Sequence, residues 1–336
     1  MEKREVWLDY LRAFACALVS LGHLFRSFQD AAILQDSVLA SFFDQVIYHF
    51  HVYIFFFCSG FLFQRSFSKC SGKRECLKKR FQKCLDFVIV YILFSGITYF
   101  IKTVLSGDVN SPVEQTFLTV LLKEPINQMW YLYAISVIML FVPAVRSDGV
   151  CTGTLLAALC MRAFMYVPAC AEAIPLPLGY LFTYGIWFVL GEIWAYKRVT
   201  LNKWLAIVFA AVFFALNLLE YAYGVSNAVL DTVLTFTGVL ASAELFRMAT
   251  KDKEKMSFVW KLLSKYMLQI YLLHTICAAG IRIILLKLGI TNFLVHFVMG
   301  MVFSFVVPIL CAAFAERVKL LNFVFYPTKT VKELKK

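Results

Sequence analysis

Charge is scarce in this sequence: Asp, Glu, Lys and Arg together make up 16% of the 336 residues, whereas 61% are hydrophobic. So little charge cannot cover a water-exposed surface, which excludes an ordinary soluble domain. Ten cysteines are present, but no C-x-x-C pair occurs, and Cys16, Cys58, Cys84, Cys160, Cys277 and Cys311 fall inside or at the ends of apolar runs. Neither a disulfide framework nor a zinc site follows from that arrangement, and no metal ligand set is assigned. Heptads, low-complexity stretches and internal repeats are lacking as well. The longest connections, at about 29–42, 64–83 and 106–128, are too short to hold a separate soluble domain.

Apolar runs of membrane-spanning length are abundant instead. They lie at 8–28, 43–63, 84–105, 129–145, 150–167, 180–196, 204–221, 228–246, 266–288 and 291–315. The expected fold is therefore an all-α polytopic membrane protein of about ten transmembrane helices, forming one domain over residues 1–336. The first run has basic flanks like those of a signal peptide, yet it contains Arg12 and no small-residue cleavage site follows it, so it reads as a retained span.

The net charge of +12 raises the question of nucleic acid. Most of the 33 Lys and Arg residues, however, sit on one side of the runs: Lys3 and Arg4, a basic loop at 64–83, Arg146, Lys197 to Lys203, Arg247 to Lys265, and a basic tail at 316–336. The opposite side carries Asp30, Asp36, Asp44, Asp108, Glu114 and Glu172. The positive-inside rule then places both termini in the cytoplasm, and the surplus is a topology signal rather than a nucleic-acid footprint. The partner it implies first is the lipid bilayer.

Ionisable side chains at membrane depth are costly and gather around cavities or protein interiors. Arg12 and His23 stand eleven positions apart on the first run. That separation is three helical turns with about 20° left over, so both project from one face, roughly 16 Å apart along the axis. Asp9 is placed to pair with Arg12, which offers a structural role for the arginine. On the second run His49 and His51 are about 160° apart, so one of them at most shares a cavity with His23. Depth counting favours His51, while His49 suits an interfacial anchor. Ser59-Gly60 reads as a substrate contact or as a close helix crossing. Asn127, Gln128, Trp130, Tyr131 and Tyr133 open the fourth run; they suit an aromatic belt, or sugar recognition through amides and flat ring faces. Arg162, Glu192, Glu244 and Arg282 are expected to be internal ion pairs or interface anchors, and His274 is kept as a substrate contact.

Taken together these residues resemble the membrane acyltransferases of the acyltransferase-3 type, in the branch of sugar O-acetylases. The resemblance spans most of the chain. It rests on Asp9-Tyr10-Leu11-Arg12 through His23, on Phe50-His51 through Phe55-Phe56-Phe57-Cys58-Ser59-Gly60, on Lys78-Lys79-Arg80-Phe81, on Trp130-Tyr131-Leu132-Tyr133, and on Tyr271-Leu272-Leu273-His274. Val52-Tyr53-Ile54 stands where this branch usually has Met-Pro-Leu, which leaves the acceptor open.

What the resemblance implies is transfer of an acyl group, usually acetyl, from cytoplasmic acyl-CoA to a hydroxyl of a cell-envelope glycan or related sugar. Acyl-CoA is then a donor substrate, no cofactor is bound, and the setting is a bacterial cytoplasmic membrane. His23 is the expected general base or transient acyl carrier, and the sequence does not separate the two. Arg12 and Arg80 are expected to hold the donor, while His51, Ser59, Asn127, Trp130, Tyr131 and His274 are the expected acceptor contacts. Intramembrane His and Arg also serve proton-coupled transporters and flippases, and a non-catalytic subunit of a polysaccharide-producing complex retains the same fold.

Overall fold

A computed structural model describes residues 5–34, 37–70, 72–253 and 255–334. Lys3, Arg4, Asp36, Lys335 and Lys336, which carry part of the charge pattern, lie outside the described residues. In chain order the helices are α1 (Val6–Asp30), α2 (Val38–Tyr48), α3 (His51–Phe67), α4 (Lys73–Val104), α5 (Phe117–Leu122), α6 (Trp130–Phe141), α7 (Asp148–Phe164) and α8 (Pro168–Ala173). They continue with α9 (Leu176–Lys197), α10 (Lys203–Tyr223), α11 (Ala228–Ala249), α12 (Phe258–Lys265), α13 (Met267–Lys287), α14 (Phe293–Ala315), α15 (Lys319–Phe325) and α16 (Pro327–Leu334). No strand occurs among the described residues. A helix satisfies its backbone amides internally, which is what hydrocarbon demands of a spanning segment.

Among the described residues eight spans are long and apolar enough to cross a membrane: α1, α2 with α3, α4, α9, α10, α11, α13 and α14. The runs at 129–145 and 150–167 are helical too, as α6 with 12 residues and α7 with 17, the latter at the lower limit for a crossing. Polar side chains mark where helices begin: Ser37, Thr116, Ser147, Asn202, Asn227 and Asn292 each accept an amide of the following turn. α10 stops at Gly224, whose φ of 63° is the left-handed position glycine adopts without penalty. Phe100, Leu294, Leu310 and Phe314 remain exposed on long helices, as lipid-facing residues do.

The second span departs from the sequence expectation of one straight helix. α2 ends at Tyr48 and α3 begins at His51, with Phe50 outside helical geometry at φ −142° and ψ −25°. The Ile47 carbonyl receives the His51 Nδ1 proton at 2.6 Å, so the side chain stands in for the amide a continuous helix would offer. The 160° opposition of His49 and His51 therefore does not apply.

The expected single domain divides by contact into two compact units, each discontinuous in sequence. Unit 1 comprises Met1–Val19, Ser37–Lys73 and Phe141–Lys265; unit 2 comprises Ser20–Asp36, Arg74–Leu140 and Tyr266–Lys336. In unit 1, α3 crosses α9 backbone to backbone at glycines. A Cβ on Gly60 would come within 1.9 Å of the Phe188 carbonyl oxygen, and one on Gly191 within 1.9 Å of that of Phe57. Small residues at a crossing are how membrane helices gain dispersion contact where no water drives them together. Of the two sequence readings of Ser59-Gly60, close approach holds for Gly60. The expected ion pairs are present in this unit: Arg162 with Asp231 at 3.0 Å, and Glu244 with Arg247. Unit 2 packs α13 against α14, and it gathers Val90, Tyr91, Phe94, Met129, Leu132 and Leu272 into one buried cluster.

Replacing Gly191 by Val should lower the unfolding midpoint of the detergent-solubilised protein by at least about 5 °C, because the α3–α9 backbones cannot part without losing their contact. Gly153, on α7 with open space where a Cβ would stand, supplies the control; a midpoint for Gly191→Val equal to that of Gly153→Val would contradict the crossing.

Candidate functional site

Unit 2 contains a cavity of about 370 Å³ whose wall is made by the end of α1, the end of α4, α13 and the segment before α6. His23 and His274 line it together, with ring centroids 5.4 Å apart. α1 is held there by Leu24 and Phe28, which are buried against Ala278, and by Gly300, where a Cβ would meet Leu24 at 2.6 Å. With Leu24 and Phe28 on the packing side, Ser20, His23 and Ser27 fall at helical spacing along the cavity wall.

His274 is 1% exposed. Its Nδ1 lies 2.9 Å from the carbonyl oxygens of both Ile270 and Tyr271. Carbonyls only accept, so Nδ1 carries the proton and Nε2 presents a lone pair. That Nε2 is buried without a partner among the described residues, and so are the hydroxyl oxygens of Ser20 and Thr98, two further lining residues. Buried polar atoms nearly always find a protein or water partner. Arg282 Nε is a fourth such unpaired atom among the lining residues.

The rest of the wall is tied down by hydrogen bonds. The amide of Gln128 donates to the Tyr271 carbonyl at 3.1 Å and to Thr275 Oγ1 at 3.0 Å, while the Tyr271 hydroxyl donates to the Gln128 carbonyl. This clamp fixes Asn127 at the cavity with a left-handed φ of 48°, a conformation asparagine tolerates better than most residues. Arg282 donates to the carbonyl of Ser27 at 3.2 Å and also to its hydroxyl; Asn110 shares the same carbonyl at 3.1 Å. Lys287 and Asp108 close a surface ion pair at 2.7 Å.

Among the residues expected from sequence, the cavity thus assembles His23, Asn127 and His274. Trp130 and Tyr131 are not in its lining; Tyr131 packs edge-on against Tyr271 at 5.8 Å and joins the unit 2 core. Arg80 is in unit 2, where its Nε donates to the Met139 carbonyl. Arg12, His51 and Ser59 belong to unit 1. Arg12 is within 3.8 Å of Asp9, the pairing its spacing predicts. His51 is 1% exposed and packs against the ring of Tyr48 at 4.8 Å. His49 faces Asn217 at 2.7 Å and Glu220 at 3.3 Å, in keeping with an anchor. Sequence reasoning passed over Ser20, Thr98 and Lys102. Ser20 was the findable one, since it lies one turn before His23 on the same face.

Unit 1 has a cavity of its own, about 660 Å³, lined by Glu5, Arg65, Arg198, Arg247, Lys251 and Lys253 among others. The cations come from the ends of α3, α9 and α11, three helices whose C-termini the charge pattern places in the cytoplasm. Arg65 is held by Glu5 at 2.6 Å and Arg247 by Glu244. The side chains of Arg198, in a left-handed cap, and Lys251 have no hydrogen bond or ion pair among the described residues.

Comparison with known proteins agrees with this arrangement in one respect. The profile of the acyltransferase domain of acyltransferase family 3 matches residues 5–313. No curated protein and no solved structure matches the chain. The match takes in α1 with Arg12 and His23, α3, α6 and α13 with His274, the elements on which the sequence resemblance rests; over nearly its whole length the chain belongs to acyltransferase family 3.

Proposed function

We propose that this membrane acyltransferase moves an acyl group, acetyl in the simplest case, from cytoplasmic acyl-CoA to a hydroxyl of a cell-envelope glycan, and that the acceptor hydroxyl is activated in the cavity that His23 and His274 line. The observation that carries this reading is the His23–His274 ring pair, with one nitrogen of His274 fixed as a proton acceptor beside two unpartnered hydroxyls.

The chemistry balances on these groups. The acceptor oxygen forms a C–O bond to the acyl carbonyl carbon as its proton passes to an imidazole nitrogen; the C–S bond breaks, and the departing sulfur takes that proton to leave as coenzyme A thiol. If His23 carries the acyl group first, its ring nitrogen displaces coenzyme A as the thiolate and the acceptor oxygen then displaces the nitrogen, with His274 Nε2 taking the acceptor's proton and passing it to the thiolate, which leaves as coenzyme A thiol. Both routes return the two imidazoles to their starting state. Arg12, eleven residues earlier on α1, lies toward the cytoplasm by the charge pattern and suits the donor's amide and anionic groups. For the donor's phosphates the basic cavity of unit 1 is better equipped than Arg80, because Arg198 and Lys251 are unpaired there and Arg80 is engaged with Met139.

With the purified protein in nanodiscs and acetyl-CoA as donor, His23→Ala should reduce acceptor-dependent coenzyme A release by at least about 100-fold while the unfolding midpoint stays within a few degrees of wild type. Near wild-type turnover by a folded His23→Ala protein would sink the assignment. Acceptor flux into liposomes without acyl-CoA would instead favour a carrier.

His274→Ala should lower kcat by about 10-fold or more with little change in the KM for acetyl-CoA. An unchanged kcat would remove Nε2 from the proton path. Arg198→Gln combined with Lys251→Gln should raise the KM for acetyl-CoA about tenfold, less so at high salt, and leave kcat within twofold. An unchanged KM would place the donor's phosphates elsewhere.

A further inference from the structure

The cavity lined by His23 and His274 is cationic at membrane depth. Arg26, Lys102 and Arg282 line it, against Asp30 as the one carboxylate in its lining. Arg282 donates through Nη1 to the carbonyl and hydroxyl of Ser27, while its Nε is buried without a partner among the described residues. Asp108, the neighbouring acid on the loop after α4, is occupied by Lys287. Lys102 differs from these: it is half-buried, lines the cavity, and has no hydrogen bond or ion pair among the described residues. An ammonium withdrawn from water without a counter-charge is unfavourable, and the cost falls when an anion occupies the space beside it. Three neutral hydrogen-bonding residues, Asn110, Ser111 and Asn127, line the same wall, so the lining combines hydroxyl and amide partners with an unneutralised cation.

We propose that the acceptor is an acidic glycan, carrying a carboxylate or phosphate on the acylated sugar or on the one next to it, and that Lys102 binds this anion while His23 and His274 face the hydroxyl. This rests on the acyltransferase reading above and names the class of acceptor. A volume of about 370 Å³ suits one or two sugar units rather than a long chain. The charge pattern places the ends of α1, α4 and α13 that form the wall on the side opposite the basic loops. An anion there belongs to an acceptor reached from outside. Coenzyme A phosphates are the other source of the same chemistry, and the two separate kinetically.

The test begins with mass spectrometry of envelope glycans from cells that produce the chain, cells that lack it, and cells that produce His23→Ala or Lys102→Gln. The expected result is an acyl mass increment on an acidic sugar or its neighbour, absent without the chain and with His23→Ala, and reduced with Lys102→Gln. An increment on a glycan with no acid at or beside the modified unit overturns the anionic acceptor and leaves the acyltransferase reading standing. No increment in any sample overturns both. The isolated glycan then serves as acceptor for purified protein with acetyl-CoA. Lys102→Gln should raise the glycan KM about tenfold, with the acetyl-CoA KM unchanged and most of the affinity restored by Lys102→Arg. A shift in the acetyl-CoA KM alone, or in neither constant, means Lys102 does not bind the acceptor's anion.

Discussion

Hydrocarbon offers a polar atom no water, and that single constraint organises both units. Each amide must find its carbonyl on the same helix, so the chain is helical wherever it is apolar. Side chains obey the same demand. His51 shares the Ile47 carbonyl with the Phe50 amide where α2 stops, His274 returns its Nδ1 proton to its own helix, and Gln128 spends its amide on α13. Where that demand goes unmet among the described residues, Ser20, Thr98, His274 and Arg282 each leave a buried atom unpaired in the lining of one cavity.

The same constraint makes His274 chemically specific. An imidazole in water exchanges tautomers freely; one buried on α13 between the Ile270 and Tyr271 carbonyls is confined to the form with Nδ1 protonated. Its remaining nitrogen is then an acceptor at rest and needs no reorganisation before taking a proton from a hydroxyl. His23, half-buried with its ring 5.4 Å away, shares the cavity. The pair can divide the labour of nucleophile and base, or a single histidine can perform both parts of the transfer.

The helical architecture and its orientation were legible because hydropathy and the sidedness of Lys and Arg are properties of short windows. Arg12 and His23 were legible for a similar reason, since two residues on one helix have a relative facing that 3.6 residues per turn determines. His274 was legible as an ionisable residue within a late apolar run, and the family resemblance added a motif around it. Lys102 and Thr98 were not legible: each is one polar residue near the end of a long apolar helix, and only the meeting of α4 with α1 and α13 gives it a neighbour. The break at His49–Phe50 was missed because no proline or glycine marks it. It depends on a side chain replacing a backbone donor, which hydropathy does not register. The runs at 129–145 and 150–167 are helical as expected, though α6 and α7 are shorter than the runs themselves.

The distribution of basic residues acquires a second meaning once the cavities are seen. Along most of the chain Lys and Arg accumulate on the cytoplasmic side, and a basic residue at the opposite end of a helix runs against that trend. Lys287 is accounted for by Asp108, and Arg282 by Ser27. Lys102, two residues from the end of α4, has no such account among the described residues. Its long side chain can snorkel toward the interface, and it does so along an open cavity whose wall also holds Asn110, Ser111 and Asn127. Selection for topology would have favoured a neutral residue there. A cation placed against the positive-inside trend, in a lining that also holds two histidines, is the observation on which the proposal of an anionic acceptor rests.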